Sequence, residues 1–215
     1  MSALVDGPAT NADAASLSLA SGLTNLTITT HSEVGHLVRG RFRGDRPRID
    51  VEGRKVAIHS GRGPLTRIRE LLNRRQRPAG DISLQAGIGW RIEIYAGVTD
   101  VRADLRHIEL LGLDVAAGVR RLDINLPRPQ GRVYLDFTSG VTNVRLRRPE
   151  GVPIELSASS GVVGLRVDER RLPPIGAALR WSSPGFSEES DHYSLRLAAG
   201  VIDLAVETYS ESDPV

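Results

Sequence analysis

Apolar and polar residues alternate on both sides of one glycine, and this arrangement recurs six times along the chain. In residues 113–124, for example, Leu, Val and Ala occupy every second position before Gly118, and Val, Leu and Ile recur after it. Alternation with a period of two is typical of a strand that buries one face. Each copy therefore predicts two short strands joined at a corner. The six corner glycines are Gly22, Gly97, Gly118, Gly140, Gly161 and Gly200.

The spacing of the corners predicts how the copies are arranged. Gly97, Gly118, Gly140 and Gly161 follow one another at steps of 21 or 22 residues. A constant step with the same residue type at the same offset indicates one structural unit per step. We predict an all-β fold, a β-solenoid in which each coil has two short strands and buries its apolar face against its neighbours. The alternative is an antiparallel sandwich, which also uses short alternating strands.

Glycine at each corner has a conformational explanation. It adopts positive φ without steric cost, so we expect a left-handed backbone at these positions. The residue before it is Ala or Ser in every copy, which leaves space for the backbone of the next layer.

Two stretches interrupt the repeat. Between Gly161 and Gly200 the gap is nearly two coils, and the weak strand pattern at residues 177–181 predicts a full coil with loops on both sides. Before the regular repeats, alternation around Gly53 indicates a hairpin or a degenerate coil. Residues 64–76 carry leucines at helix-like spacing, so the irregular segment near residues 60–80 is either a short helix or a loop that caps the stack.

The prediction for the whole chain is a single domain, residues 1–215. Residues 1–84 would form degenerate coils and an arginine-rich segment, residues 85–207 the regular repeats, and residues 208–215 a polar tail. A coil buries its apolar column only where another coil covers it. Because only the polar tail follows the last strand pattern, we expect an open C-terminal end. We expect self-association through at least one end of the solenoid, with arginine-rich and acidic surfaces aiding the register.

Composition narrows the class of protein. The chain is 40% hydrophobic and 25% charged, contains no cysteine, and has one lysine against many arginines, a bias typical of a GC-rich bacterial genome. Without cysteine there are no disulfides, thiolate metal sites or cysteine nucleophiles. No apolar run approaches the roughly 18 residues that a membrane-spanning helix needs, and no signal sequence is evident. We expect a cytoplasmic protein, with peripheral membrane association as the alternative.

Residues suited to catalysis are scattered. The histidines do not share a two-ligand spacing, so we expect no metal site, and we expect no cofactor. Glu188, Glu189 and Asp191 lie beside His192. Paired carboxylates serve as acid and base in glycosidases, but a solvated acidic loop is the simpler interpretation. We predict that the protein is not an enzyme.

Positive charge is concentrated between Arg39 and Arg77. This segment contains twelve Arg, one Lys and four acidic residues. Such a patch can hold an anionic or acidic partner, or it can be a solvated edge that discourages strand pairing. Arg39, Arg41 and Arg43 alternate, so on a strand they would line one face. The candidate binding residues are Arg39, Arg41, Arg43, Arg67, Arg69, Arg74, Arg75 and Arg77.

Five segments carry a resemblance to known domains. They are residues 90–94 (Trp-Arg-Ile-Glu-Ile), 96–101 (Ala-Gly-Val-Thr-Asp-Val), 126–131 (Leu-Pro-Arg-Pro-Gln-Gly), 139–144 (Ser-Gly-Val-Thr-Asn-Val) and 148–153 (Arg-Pro-Glu-Gly-Val-Pro). The chain resembles the bacterial putative-adhesin and β-strand-repeat domain families, and is similar to the C-terminal domain of cell-envelope stress-response regulators. The resemblance covers about residues 85–207. It implies a β-solenoid with a non-catalytic role.

These observations favour a scaffold or interaction module that binds a protein partner or forms a homo-oligomer. An accessory regulator that contacts anionic lipid or nucleic acid through the arginine-rich segment is the alternative. A carbohydrate-active enzyme comes third, because 4% aromatic residues supply few sugar-stacking platforms.

Overall fold

The computed structural model describes residues 14–20, 23–33, 35–43, 47–59, 79–174, 176 and 178–210. Within these residues the secondary structure is all strand and no helix, so no helix that could cross a membrane is found there. The strands are β1 (Ala14–Leu19), β2 (Thr24–His31), β3 (Val38–Arg43), β4 (Arg48–Glu52), β5 (Lys55–His59), β6 (Ala79–Gln85), β7 (Gly89–Ile94), β8 (Val98–Asp104), β9 (Glu109–Val115), β10 (Val119–Asn125), β11 (Arg132–Phe137), β12 (Val141–Pro149), β13 (Ile154–Ala158), β14 (Val162–Val167), β15 (Arg170–Arg171), β16 (Leu179–Ser182), β17 (His192–Leu197) and β18 (Val201–Tyr209).

The strands form two nine-stranded sheets. The order in the first sheet is β16-β13-β17-β11-β9-β7-β1-β5-β4, and in the second it is β15-β14-β18-β12-β10-β8-β2-β6-β3. The seven inner strands of each sheet run parallel, and only the strand at each edge pairs antiparallel with its neighbour. The all-β prediction is confirmed. The antiparallel sandwich is wrong, because parallel pairing dominates both sheets.

Successive strands alternate between the two sheets from β7 to β14, so one strand of the first sheet and the next strand of the second form a coil. Equivalent positions of neighbouring coils face each other, as Leu122 and Val144 do. This layering is solenoid-like. The residues predicted to point inward are all buried: Val119, Leu122, Ile124, Val141, Val144, Leu146, Leu165 and Val167.

The coils are not stacked in chain order. The coil of β17 and β18 lies between the coil of β11 and β12 and that of β13 and β14. Val144 pairs with Leu204, and Leu204 pairs with Leu165. The predicted open C-terminal end is therefore wrong, because β18 has a parallel neighbour on each side.

The predicted coil at residues 177–181 is also wrong. That segment contributes β16, an antiparallel edge strand in which Trp181 pairs with Leu156 of β13. The alternation around Gly53 proves to be a hairpin, in which β4 and β5 pair antiparallel and Gly53 has a φ of 60°. The possible helix at residues 64–76 lies outside the described residues, as does corner residue Gly22.

The corner glycines have a different role from the one expected. Gly97, Gly118, Gly140 and Gly200 do not have left-handed φ values. Their carbonyls join neighbouring coils instead: the Val98 amide donates to the Gly118 carbonyl at 3.3 Å, and the Val141 amide donates to that of Gly200 at 3.2 Å. The corners are therefore places where backbone hydrogen bonds join neighbouring coils.

The core is a column of stacked aliphatic side chains between the sheets. Its two large polar aromatics are satisfied by backbone carbonyls. Trp90 Nε1 donates to the Gln85 carbonyl at 3.0 Å, and the Tyr193 hydroxyl donates to that of Pro127 at 2.6 Å. Because the core faces of both sheets are filled, the surfaces left for binding are the outer faces and the sheet edges.

Candidate functional site: a groove on the second sheet

In each of six coils, the residue three positions after the corner glycine has a left-handed backbone. We call this set the left-handed row. Its members, in stack order, are Asn25, Asp100, Arg121, Asn143, Asp203 and Gly164, with φ values between 53° and 73°.

The residue types of the left-handed row explain why the strands bend there. Gly accepts positive φ freely, and Asn and Asp tolerate it better than other side chains. Strand pairing passes over these positions: Arg120 pairs with Thr142, and the next paired residues are Leu122 and Val144. Arg121 is the exception, because an Arg side chain does not reduce the steric cost of a left-handed backbone.

A second line of outward residues, two positions further along each coil, crosses the whole second sheet from β3 to β15. Strand register places them side by side, and we call them the arginine row. In order they are Arg41, Asp81, Thr27, Arg102, Asp123, Arg145, Ala205, Arg166 and Arg171.

A groove of about 550 Å³ runs between the two rows, from β8 to β15. Between the rows, the side chains of Val101, Leu122, Val144 and Leu204 turn into the core, so the surface is low there. Strands in a sheet lie about 4.8 Å apart, so a groove across six strands extends roughly 24 Å. Its lining in the described residues contains no aromatic side chain.

The arginines of the row differ in how fully they are neutralised. Arg145 lies 3.8 Å from Asp123 and 3.6 Å from Glu207, and Arg166 also donates to Glu207. Arg102 and Arg171 form no ion pair with any described residue. Five arginines and three aspartates line the groove, so its lining has a net positive formal charge.

Two of these positive charges face each other directly. Arg166 and Arg171 are register partners on β14 and β15. Like charges directly opposite each other on neighbouring strands are destabilising. Glu207 already offsets the charge of Arg166, so Arg171 is the charge of this pair that an anionic group would compensate.

The structure places part of the predicted arginine patch in the same sheet. Arg39, Arg41 and Arg43 lie on one face of edge strand β3, with Val38 and Phe42 buried on the other, as the alternation predicts. Arg39 is paired with Glu33. Arg41 begins the arginine row, far from the groove. The remaining candidates, Arg67, Arg69, Arg74, Arg75 and Arg77, lie outside the described residues.

The acidic loop does not combine with His192 into an acid–base pair. The His192 ring is buried, with Nδ1 2.6 Å from the Ser190 carbonyl and Nε2 3.8 Å from Glu155. Asp191 accepts from the Gly131 amide at 2.6 Å, while Glu188 and Glu189 stay exposed. No group of three or more His, Asp or Glu residues able to hold a metal occurs in the described part of the chain.

The sequence carried a signal for the groove that apolar periodicity does not reveal. Asn, Asp or Gly stands three positions after the corner glycine in five of six coils, and Arg stands five positions after it in three. Both signals lie at polar positions of the repeat. Whether these residues of different coils lie next to each other also depends on the stacking order of the coils. The repeat pattern does not predict that order.

The fold and the groove define a class: all-β proteins built from stacked two-strand coils with a filled aliphatic core. The sequence matches the N-terminal domain of toast_rack, DUF2154, over residues 3–147, and the chain belongs to this family. The structure is similar to that of a putative cell adhesion protein from Clostridium sporogenes, with a TM-score of 0.61 and 18% sequence identity. The similarity covers 96% of this chain and 99% of that one, and it shows a common fold. No curated protein matches the sequence.

Proposed function

We propose that the chain is a non-catalytic, adhesion-like β-solenoid module that docks a protein partner on the outer face of its second sheet. The observation that carries this proposal is the arginine row, which crosses all nine strands in continuous register. Inner strands paired on both sides fix the backbone of such a row, so little backbone ordering entropy is lost on binding. The fold of the Clostridium cell adhesion protein supports an adhesion-like role.

The composition of the row favours a protein partner over a membrane or a nucleic acid. Asp81 and Asp123 interrupt the arginines, and mixed charges select a partner with a matching pattern. A membrane surface or a phosphate backbone cannot turn its negative charges away from these carboxylates, whereas a polypeptide can direct an acidic side chain to its other side. Binding of single-stranded nucleic acid also relies on aromatic stacking, which the described groove lining does not offer.

Self-association is the second candidate function. Glu93, Asp114 and Asp136 lie side by side on the outer face of the first sheet, on β7, β9 and β11. Asp114 and Asp136 already pair with Arg91 and Arg196, so this line would face the arginine row of another copy by exchanging these ion pairs. Light scattering at two salt concentrations tests it: a larger species that shrinks with salt supports a homo-oligomer, and a 23.3 kDa monomer at both contradicts it.

A probe panel tests the docking face. The chain would be immobilised and exposed to poly-glutamate, phosphatidylserine vesicles, and single- and double-stranded DNA. We expect salt-sensitive capture of poly-glutamate, lost in the triple variant Arg102→Gln, Arg145→Gln and Arg166→Gln. The matched control removes three arginines from the first sheet, Arg91→Gln, Arg132→Gln and Arg196→Gln.

The two triple variants decide between the outcomes. If poly-glutamate binding falls only in the second-sheet variant, the docking face is supported. Capture of vesicles or DNA without poly-glutamate would contradict a protein partner. An equal loss of poly-glutamate binding in both variants would show that binding depends on the net charge of the protein and not on the second sheet.

A further inference from the structure

Three arginines of the groove recur on every second strand. Arg102 lies on β8, Arg145 on β12 and Arg166 on β14, and the strands between them carry Asp123 and Ala205 at the same level. Neighbouring strands are about 4.8 Å apart, so these positive charges repeat at roughly 9.6 Å. A ligand that engages all three needs anionic groups on one side at the same period.

The geometry points to an occupant: we propose that the groove binds an acidic polypeptide segment in the polyproline II conformation, with an acidic residue at every third position. Polyproline II has three residues per turn and rises about 3.1 Å per residue, so side chains on one side repeat at about 9.3 Å. A β-strand repeats its side chains on one face at about 6.7 Å and does not match. This inference rests on the proposed function and specifies the partner's chemistry.

Backbone hydrogen bonding favours the same conformation. The groove runs across the strands of a sheet whose inner strands are already paired on both sides, so it offers no free ladder to an added β-strand. A polyproline II segment has no internal hydrogen bonds and keeps its backbone in water. It can therefore lie across the strands without losing backbone partners.

The charges between the arginines fix the register of the segment. Asp123 lies between Arg102 and Arg145 and would repel an acidic residue placed there. At the far end, Arg171 lies opposite Arg166 in register and forms no ion pair with a described residue, so an acidic side chain placed there meets an uncompensated positive charge.

Apolar contacts are available beside the same end of the groove. Val163 and Ile202 are register partners next to the left-handed row, and both are about half exposed. They can pack against apolar residues between the acidic positions, such as proline.

Two peptides of identical composition test the period. The first repeats Glu-Pro-Pro four times; the second contains the same residues with Glu at spacings of two and four. Fluorescence anisotropy with the whole chain should show the first peptide binding at least tenfold more tightly at low salt, with an affinity that falls as salt is raised. The comparison requires no protein variant, so it does not depend on the folding of one.

Protein variants then locate the site. Arg102→Gln, Arg145→Gln and Arg166→Gln should each weaken the first peptide severalfold, and Arg91→Gln on the first sheet should leave its affinity unchanged. In a three-repeat peptide, which has one Glu for each of the three arginines, replacing the middle Glu with Gln should make Arg145→Gln silent, because the paired charge is already gone.

The outcomes separate the two proposals. Equal binding of both peptides would overturn the polyproline II period and leave the docking face intact. Failure of both peptides while poly-glutamate is captured would overturn the groove as their site. Failure of all acidic polypeptides while sulfated polysaccharide or DNA binds would overturn the proposed protein partner as well.

Discussion

Val144 of β12 lies directly opposite Leu204 of β18, and Leu204 in turn lies opposite Leu165 of β14. The last coil of the chain therefore separates two coils that precede it in sequence. Strands β11 to β14 cannot complete their pairing until the C-terminal strands arrive. Contacts between such distant residues also slow folding, because the intervening chain must be closed first.

Removal of residues 191–215 tests this dependence. It deletes β17 and β18 and leaves four strand edges of the parallel sheets unpaired, which favours aggregation. We expect loss of cooperative thermal unfolding and aggregation that increases with protein concentration. Removal of residues 211–215 alone is the control and should leave the melting temperature unchanged. Cooperative unfolding of the shorter chain at the full-length temperature would contradict the inserted position of the last coil.

The left-handed row supplies a second prediction. Arg121 has a φ of 61° and Arg120 lies beside it in ordinary strand conformation. A β-branched residue is strained at positive φ, so Arg121→Val should destabilise the protein by about 1–2 kcal/mol, measured by urea unfolding. Arg120→Val should stay within about 0.5 kcal/mol of wild type. Equal free energies of unfolding for the two variants would remove the conformational argument.

A tolerated replacement at the same position completes that test. Arg121→Asn keeps a side chain suited to the left-handed region and loses only the exposed ion pair with Asp100, which contributes about 0–1 kcal/mol. It should lie closer to wild type than Arg121→Val.

Apolar periodicity predicted the coils well because inward positions pack against equivalent positions, as Leu122 does against Val144. The stacking order could not be predicted for the same reason. When every coil presents Val or Leu at the same offsets, each coil fits against any other, and adjacency in sequence is only a tendency. The arginine row depends on that order, so Arg145 and Arg166 could not be recognised as near neighbours.

The corner glycines show a second limit of sequence reasoning. A recurring glycine can mean positive φ or close backbone approach, and the sequence does not distinguish them. At Gly118 the structure shows neither: its φ is not left-handed, and an added Cβ would lie 3.8 Å from the carbonyl oxygen of Gly140, an ordinary van der Waals distance. The left-handed backbone occurs instead mostly at polar residues such as Asn143. The apolar periodicity makes no prediction for these positions.

A buried ion pair gives the third prediction. The Arg148 side chain is 4% exposed and donates to Asp168 at 2.8 Å, while Asp168 is 36% exposed. Burial lowers the pKa of Arg148, and the charge of Asp168 opposes this shift. The cost of losing one partner therefore depends on which charge is left behind.

Asp168→Asn should destabilise the protein more than Arg148→Met does. The first change leaves a buried guanidinium without its carboxylate, which costs roughly 3 kcal/mol. The second leaves a carboxylate that water can reach and should cost about 1 kcal/mol. Asn also tolerates the positive φ of Asp168, so Asp168→Asn adds no backbone strain to the measured free energy of unfolding. The reverse order in urea unfolding would show that Arg148 contributes through packing and not through charge.

The last prediction concerns acid. Burial raises the pKa of Glu155, but hydrogen bonds from Ser194 and Arg132 and the nearby positive charge outweigh it and hold that pKa below its ordinary value of 4.5. A carboxyl whose pKa is lowered by folding stabilises the native state above its unfolded pKa, and this stability is lost as pH falls through the folded value. The wild type should thus lose stability below pH 4.5 in part through Glu155.

Glu155→Gln isolates this contribution. The variant should be less stable than wild type at pH 7, and the difference in free energy of unfolding should shrink as pH is lowered from 4.5 to 3. His192 also faces this carboxylate, with its Nε2 3.8 Å from Glu155. The control is Glu150→Gln, which removes the same charge at an exposed turn where no described residue forms an ion pair with it. A difference for Glu155→Gln that stays constant between pH 7 and pH 3 would show that its carboxylate contributes no pH-dependent stability.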